Sequence, residues 1–307
     1  MDLLQLKYFQ TVARLEHMTQ AARALSIAQP SLSQTIAHLE DELGVPLFER
    51  QGRHIHLNAF GRALLRHVER LFGELDEARQ ELADLTGAEQ GQIALSVIAP
   101  QILPELLGPF QERHPHISFR LFHQHTLQAV QQQVERGEVD LCITSPPLEQ
   151  EGIDWPEEIS WVPLLSDEIY LLFPLGHPLA GRESIHLSEV AHEPFISLKP
   201  GDLWRELTDR FCRQAGFTPR VVFEGDELEM IRGLVMAGLG VTFISHLMVR
   251  SAPYLATQPV RILPIAEPRC WRQLGLVWRT THYLSQAAQQ FRAFVIQYFQ
   301  QLEQERP

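Results

Sequence analysis

Residues 19–43, TQAARALSIAQPSLSQTIAHLEDEL, decide the fold of the N-terminal part of the chain. Leu32, Ile36, Leu39 and Leu43 recur at the i, i+4, i+7, i+11 spacing of one apolar helix face. That predicts a helix packed by one side on a small core. A shorter helix precedes it, with Thr19 as N-cap and Ala21, Ala22 and Leu25 inward, and only Ser26-Ile27-Ala28-Gln29 separates the two. Pro30 falls in the first turn, where its missing N–H costs no hydrogen bond. Pro30, Gln34, Ala37, His38 and Asp41 point outward, flanked by Ser31 and Ser33. Gln29, Ser31, Ser33 and Gln34 thus gather on the N-terminal half, and Glu40, Asp41 and Glu42 at the far end. A helix entering a major groove by its N-terminal residues has this distribution: amides and hydroxyls reach base edges, the dipole favours phosphate, and the acids stay outside. An ordinary helical hairpin has the same spacing, so the residues that follow decide.

They are VPLFERQGRHIHLNAFG, 45–61: a short strand, a turn at Gln51-Gly52 and a second strand behind Gly44, a natural end for the helix. This reads as a β-wing with Arg50, Arg53, His54 and His56 at or near its tip, where a duplex backbone or minor groove would lie. Over residues 6–65, LKYFQTVARLEHMTQAARALSIAQPSLSQTIAHLEDELGVPLFERQGRHIHLNAFGRALL, the chain closely resembles the LysR-type transcriptional regulators. The match runs through some sixty positions in order, with Gln34 and His38 standing where many members carry Arg or Lys.

Length and composition fit this organisation. At 307 residues two or three domains are expected, and 45% hydrophobic with 21% charged residues is ordinary for a globular chain. A net charge of -12 argues against coating nucleic acid through bulk attraction. Even residues 1–58 carry Lys7, Arg14, Arg23, Arg50 and Arg53 against Asp2, Glu16, Glu40, Asp41, Glu42 and Glu49, so DNA binding needs local placement of charge and more than one copy of the domain. Cys142, Cys212 and Cys270 show no CxxC spacing and no His partner, the pattern of reduced structural thiols. No apolar run reaches the roughly 18–20 residues of a membrane span, and Met1 opens into a helix rather than a signal peptide; a cytoplasmic protein is expected.

Residues 2–15 form an amphipathic helix supporting the helix-turn-helix. From 59 to 85 an apolar stripe (Phe60, Leu64, Leu65, Val68, Leu71, Leu75, Ala78, Leu82, Leu85) runs without proline, and so long an exposed stripe needs a partner. In LysR-type regulators the matching segment is the linker helix that dimerises. After a hinge at 87–91, GAEQG, strands QIALSVI, ISFRLFH and DLCIT alternate with helices near 103–113 and 126–136, a parallel doubly wound unit. A second unit begins near Pro163, with strands EIYLLFP, PFISL, RVVFE and GVTFIS and helices near 203–215 and 227–237; Gly238 and Gly240 make a tight turn before the last strand. CWRQLGLVW and a helix over 285–302 most economically return to the first unit. The predicted class is α/β multidomain: winged helix-turn-helix (1–58), linker helix (59–86), hinge (87–91) and two subdomains (92–162 with 267–307, and 163–266). That layout resembles the two-lobed effector-binding domain of LysR-type regulators, itself similar to periplasmic solute-binding proteins, and the second half is somewhat like regulators of glutamate-synthase operons.

In open α/β sheets ligands bind beyond the carboxyl ends of the strands, where helix N-termini offer free N–H groups. This selects Ala99, Pro100, Gln101, Thr126, Thr144, Ser145 and Pro146 in the first lobe, and Ser197, Leu198, Gly225 and Asp226 in the second. With few charges among them, the expected ligand is a small organic acid or amino acid held by hydroxyls and backbone N–H groups. The DNA-contacting set is Thr19, Gln29, Pro30, Ser31, Ser33, Gln34, Arg50 and Arg53. GxSxG, P-loop, HExxH and strand-bound GxGxxG signatures are absent, so no catalytic residue, metal or cofactor is expected. A solute-binding module or enzyme with helices serving only oligomerisation is the competing architecture. The resemblance implies promoter DNA, a small-molecule effector, a homodimer through the linker helix, a homotetramer and RNA polymerase as partners.

Overall fold

The computed structural model describes residues 1–51, 54–86, 91–146 and 158–304. The chain divides into two compact units, Met1–Ala83 and Asp84–Pro307.

In the first unit α1 (Leu3–Leu15), α2 (Met18–Ala24) and α3 (Gln29–Leu43) precede an antiparallel ribbon, β1 (Phe48–Gln51) and β2 (His54–Leu57), and then α4 (Ala59–Leu85). Asp2 opens α1 with a reciprocal capping box to Gln5. Phe9, Val12, Ala21, Leu32, Ile36 and Leu39 form the core, so the helical phase of residues 19–43 is as expected at three of its four leucine and isoleucine positions. Leu43 is the exception, 37% exposed. Thr19 is not the N-cap of α2: His17 takes that place, its Nδ1 accepting from the Gln20 amide at 3.4 Å. The α2–α3 turn has the expected four residues but lies one position earlier, Leu25–Ala28, with Ser26 at φ +56° and Gln29 already within α3.

Residues 59–86 do not form a wholly separate linker, because α4 gives Leu65 and Val68 to the N-terminal core. Asn58 fixes its start: Oδ1 accepts from the Gly61 amide at 2.9 Å, while Nδ2 donates to Pro46 O at 2.7 Å. A Cβ on Gly61 would lie 2.1 Å from Leu47 O, so only glycine lets helix and wing approach this closely. Farther along α4, Leu71, Leu75, Leu82 and Leu85 are exposed.

The second unit contains β3 (Gln92–Val97), α5 (Leu103–Arg113), β4 (Ser118–His123), α6 (Leu127–Glu135), β5 (Leu141–Thr144) and β6 (Ile159–Pro174). It continues with β7 (Ile185–His186), β8 (Pro194–Leu198), α7 (Leu203–Gln214), β9 (Arg220–Gly225), α8 (Leu228–Met236), β10 (Thr242–Ser245) and α9 (His246–Ser251). It ends with β11 (Val260–Glu267), β12 (Trp271–Arg279) and α10 (Gln286–Gln304). In a first lobe β3 lies between β4 and β5, all parallel, and β12 pairs antiparallel with β5 and with the first half of β6. In a second lobe the last part of β6 pairs antiparallel with β10 and β11, whereas β8 and β9 are parallel. The second lobe is therefore mixed rather than doubly wound and parallel.

A division at residues 162/163 would sever β6 after its fourth residue. Pro163 cannot donate to the ladder, and the strand absorbs it through a register shift opposite Leu274 and Gly275, the kind of irregularity where a strand proline is tolerated. The lobes keep separate cores: Leu95, Phe110, Leu276, Phe291 and Val295 in the first, Phe173, Phe195, Phe211, Val235 and Ile244 in the second. Full burial of each such side chain contributes about 1.5–3 kcal/mol. Gly240 lets the loop before β10 pass β8, since a Cβ there would meet Pro194 O at 2.4 Å.

Candidate functional site

The first unit presents the N-terminal half of α3. Gln29, Pro30, Ser31 and Gln34 are exposed there, Ser33 is half-buried, and Thr19 is exposed on α2. Gln29 Nε2 donates to Ser33 Oγ at 3.4 Å, and Thr35 Oγ1 donates to Ser31 O at 3.0 Å, which orders this face before any partner arrives. The acidic end is not uniformly solvated: Glu40 Oε1 accepts from the Leu47 amide at 2.6 Å and holds the entry to the wing. Arg50 lies in β1 and Arg53, with the wing turn, lies outside the described residues. His56 is below the tip, opposite Glu49, and its Nδ1 is 2.8 Å from Glu16 Oε2. That bond, helped by the Leu57 amide, holds the Glu16 carboxyl below the usual carboxylate range although its slight burial opposes the shift.

The second unit has a cleft of about 660 Å³ between its lobes, within the roughly 300–1,000 Å³ of small-molecule sites. Of the strand-end residues, Pro100, Gln101, Ser145, Pro146, Leu198 and Asp226 line it. Ala99, Thr126, Thr144, Ser197 and Gly225 are not brought into that lining. Ala99 and Thr144 are buried, Thr144 with its Oγ1 unpartnered, and Thr126 Oγ1 accepts from the Ala129 amide as the cap of α6. Asp226 is 2.8 Å from Lys199 Nζ, whose pKa rises through that pairing.

The expectation of few charges does not survive the geometry. Side chains from α7, α8 and β12 add Arg210, Arg213, Arg232 and Arg272, together with Asp202, Glu206, Asp209, Glu227 and Glu229. A strand-end rule cannot find them, because they project from helix faces or from a strand about a hundred positions away. The wall facing them is largely neutral (Ile98, Pro100, Gln101, Gln124, Ser145) apart from His123 and His125. Those two rings lie 4.2 Å apart between centroids with their planes tilted by 52°, and burial, then the His125 charge, depress the His123 pKa.

Sequence profiles match this two-part geometry: "Bacterial regulatory helix-turn-helix protein, lysR family" over residues 3–62 and "LysR substrate binding domain" over residues 86–300. The chain belongs to the LysR family. Among LysR-type relatives, the HTH-type transcriptional regulator YybE of Bacillus subtilis is 38% identical over 302 residues, spanning 97% of this chain and 99% of its own length. The transcriptional dual regulator GltC of the same organism is 34% identical, spanning 99% of each. A full-length OxyR structure from Pseudomonas aeruginosa superimposes with a TM-score of 0.70 at 25% identity, covering 96% of this chain and 94% of OxyR. This LysR family member is thus a transcriptional regulator with a substrate-binding domain, not an enzyme. Burial raises its Cys142 and Cys270 thiols to about 12 and also raises Cys212, which keeps all three protonated. Among the described residues no helix is long and apolar enough to cross a membrane.

Proposed function

We propose that this LysR family regulator binds promoter duplexes sequence-specifically through the N-terminal half of α3, with Gln29, Ser31, Ser33 and Gln34 at base edges and Pro30 and Thr19 beside the backbone. Arg50 and Arg53 of the wing supply phosphate contacts. A small organic acid or amino acid in the cleft changes how the lobes close, and a ligand touching both lobes shifts that equilibrium only through its differential affinity for the closed form. The exposed Leu71, Leu75, Leu82 and Leu85 of α4 pair with a second copy, and pairs of dimers contact RNA polymerase from the operator. The division of labour follows residues 1–58, 59–86, 87–91, 92–162 with 267–307, and 163–266, with the strand β6 shared by both lobes.

The observation that carries this reading is the exposed amide and hydroxyl face of α3 in one unit of a chain whose other unit holds a cleft of about 660 Å³. Selection of genomic fragments by the full-length protein, followed by salt titration, tests it. Recovery of a discrete promoter fragment, bound at least about a thousandfold tighter than bulk DNA, is expected. Equal affinity for all duplexes at every salt concentration would overturn it.

A further inference from the structure

Granting that the cleft holds the effector, we propose that Arg272 is its anion anchor and that the ligand is a small carboxylate bearing a hydroxyl or amino group. Arg272 sits in β12 near the point where the chain re-enters the first lobe, in cross-strand register with Asp167. Its side chain is only 4% exposed, yet it lines the cleft. Nε donates to Asp167 Oδ2 at 2.9 Å, and Nη2 lies 2.9 Å from the same oxygen without hydrogen-bond geometry. The other Asp167 oxygen is occupied by the Leu247 amide at 3.0 Å. Asp167 therefore meets one edge of the guanidinium with one oxygen, where a matched fork would use two.

Five N–H bonds radiate from a guanidinium, and among the described residues only Nε of Arg272 completes a hydrogen bond. The Trp204 ring, with its centre 5.0 Å from the guanidinium carbon, lines the same cleft and supports the group. Leaving buried N–H groups unpaired is costly, and a carboxylate received by the Nη1–Nη2 edge in fork geometry removes that cost. A second donor is the buried, unpartnered Nε of Arg232 on α8. Neighbouring Lys199 and Arg205 are tied to Asp226 and Asp209 at 2.8 and 2.6 Å. On the opposite wall the Gln101 side-chain oxygen is buried and unpartnered. An amide there receives a hydroxyl or amino donor from the far end of the ligand.

The test uses the full-length protein and lactate, malate, 4-aminobutyrate and 4-hydroxybenzoate, each set against its primary amide, in thermal-shift and calorimetric titrations. At least one carboxylate should raise Tm while its amide does not. The paired change Arg272→Gln with Asp167→Asn keeps a neutral cross-strand contact, and circular dichroism checks that it folds. Its Kd for that carboxylate should rise at least tenfold, and Arg272→Lys, which cannot form the fork, should behave similarly. Equal binding of carboxylate and amide, undiminished affinity in both variants, or no stabilisation by any of the four acids would overturn the proposal. A Ser145→Trp variant separates this from the cleft reading: loss of carboxylate binding there but not in the Arg272 variants rejects the anchor alone, and persistence in Ser145→Trp rejects the cleft.

Discussion

Asp202 spans the mouth of the cleft to His125: its Oδ2 lies 3.1 Å from His125 Nδ1, while its Oδ1 accepts from the Trp204 amide at 2.8 Å. The Leu203 amide adds a bond to His125 O at 2.7 Å, so the start of α7 is tied to the first lobe by side chain and backbone together. One carboxylate thus caps a helix and joins two lobes. Asp202→Ala should cost about 0.5–2 kcal/mol through the lost cap, and Asp202→Asn, which retains an acceptor, less than half as much. Urea unfolding followed by tryptophan fluorescence measures both, and equal losses would show that the charge matters more than the cap.

The depressed pKa of His123 gives the second unit an acid sensitivity. Burial is the main cause, followed by the neighbouring His125, with Asp202 and Glu227 opposing. Because the folded state takes up a proton less readily than the unfolded chain, stability is fully present above the ordinary histidine pKa and is lost as pH falls through it toward the lower folded value. The melting temperature of the C-terminal transition should drop between about pH 7 and pH 5. His123→Gln should flatten that drop. An unchanged slope in the variant would assign the effect to other groups.

Two glycines should respond oppositely to a single methyl. Gly61→Ala drives Cβ to 2.1 Å from Leu47 O, a backbone atom held by the wing, so the N-terminal unit should lose several kcal/mol or fail to fold. Gly233 in α8 is exposed, meets nothing within 4 Å at its Cβ position beyond its own chain neighbours and helix backbone, and is not followed by a proline, so Gly233→Ala should stabilise by about 0.5–1 kcal/mol. Calorimetry on both variants checks the pair.

What could be read from the sequence depended on how local its cause was. The phase of α3 follows from Leu32, Ile36 and Leu39, all within two turns, and the wing from a turn dipeptide between two short strands. His17 as a cap could not be read, since imidazole seldom takes that role and Thr19 offered a better-known one. Pro163 suggested a break because its accommodation depends on Leu274 and Gly275, more than a hundred positions on. The cleft shows the same division: strand ends identified Gln101 and Ser145, but Arg232 and Arg272 enter only when α8 and β12 are placed in space.

Two neighbouring positions of α3 separate folding from recognition. Ile36 is 4% exposed in the core of the first unit, and Gln34 is exposed. Ile36→Ala should cost about 2–5 kcal/mol of stability. Gln34→Ala should leave melting unchanged and lose roughly 1–3 kcal/mol at its own base pair in the selected operator. Similar melting losses in both would contradict the orientation of α3.

The last prediction concerns transmission from cleft to DNA. Thr144 is fully buried behind the cleft, so enlarging it would disrupt the sheet rather than block the site; Ser145, half-buried and in the lining, is the position to fill. A tryptophan there occupies space between Pro146 and the facing lobe without removing any hydrogen bond formed by the Ser145 side chain among the described residues. The N-terminal core of Phe9, Leu32, Ile36 and Leu39 is built within its own unit, so Ser145→Trp should bind the operator with wild-type affinity in the absence of effector. Footprints taken with and without the stabilising carboxylate should differ in length for the wild type and coincide for the variant. A ligand-dependent change that persists in Ser145→Trp would mean that the signal starts outside the cleft.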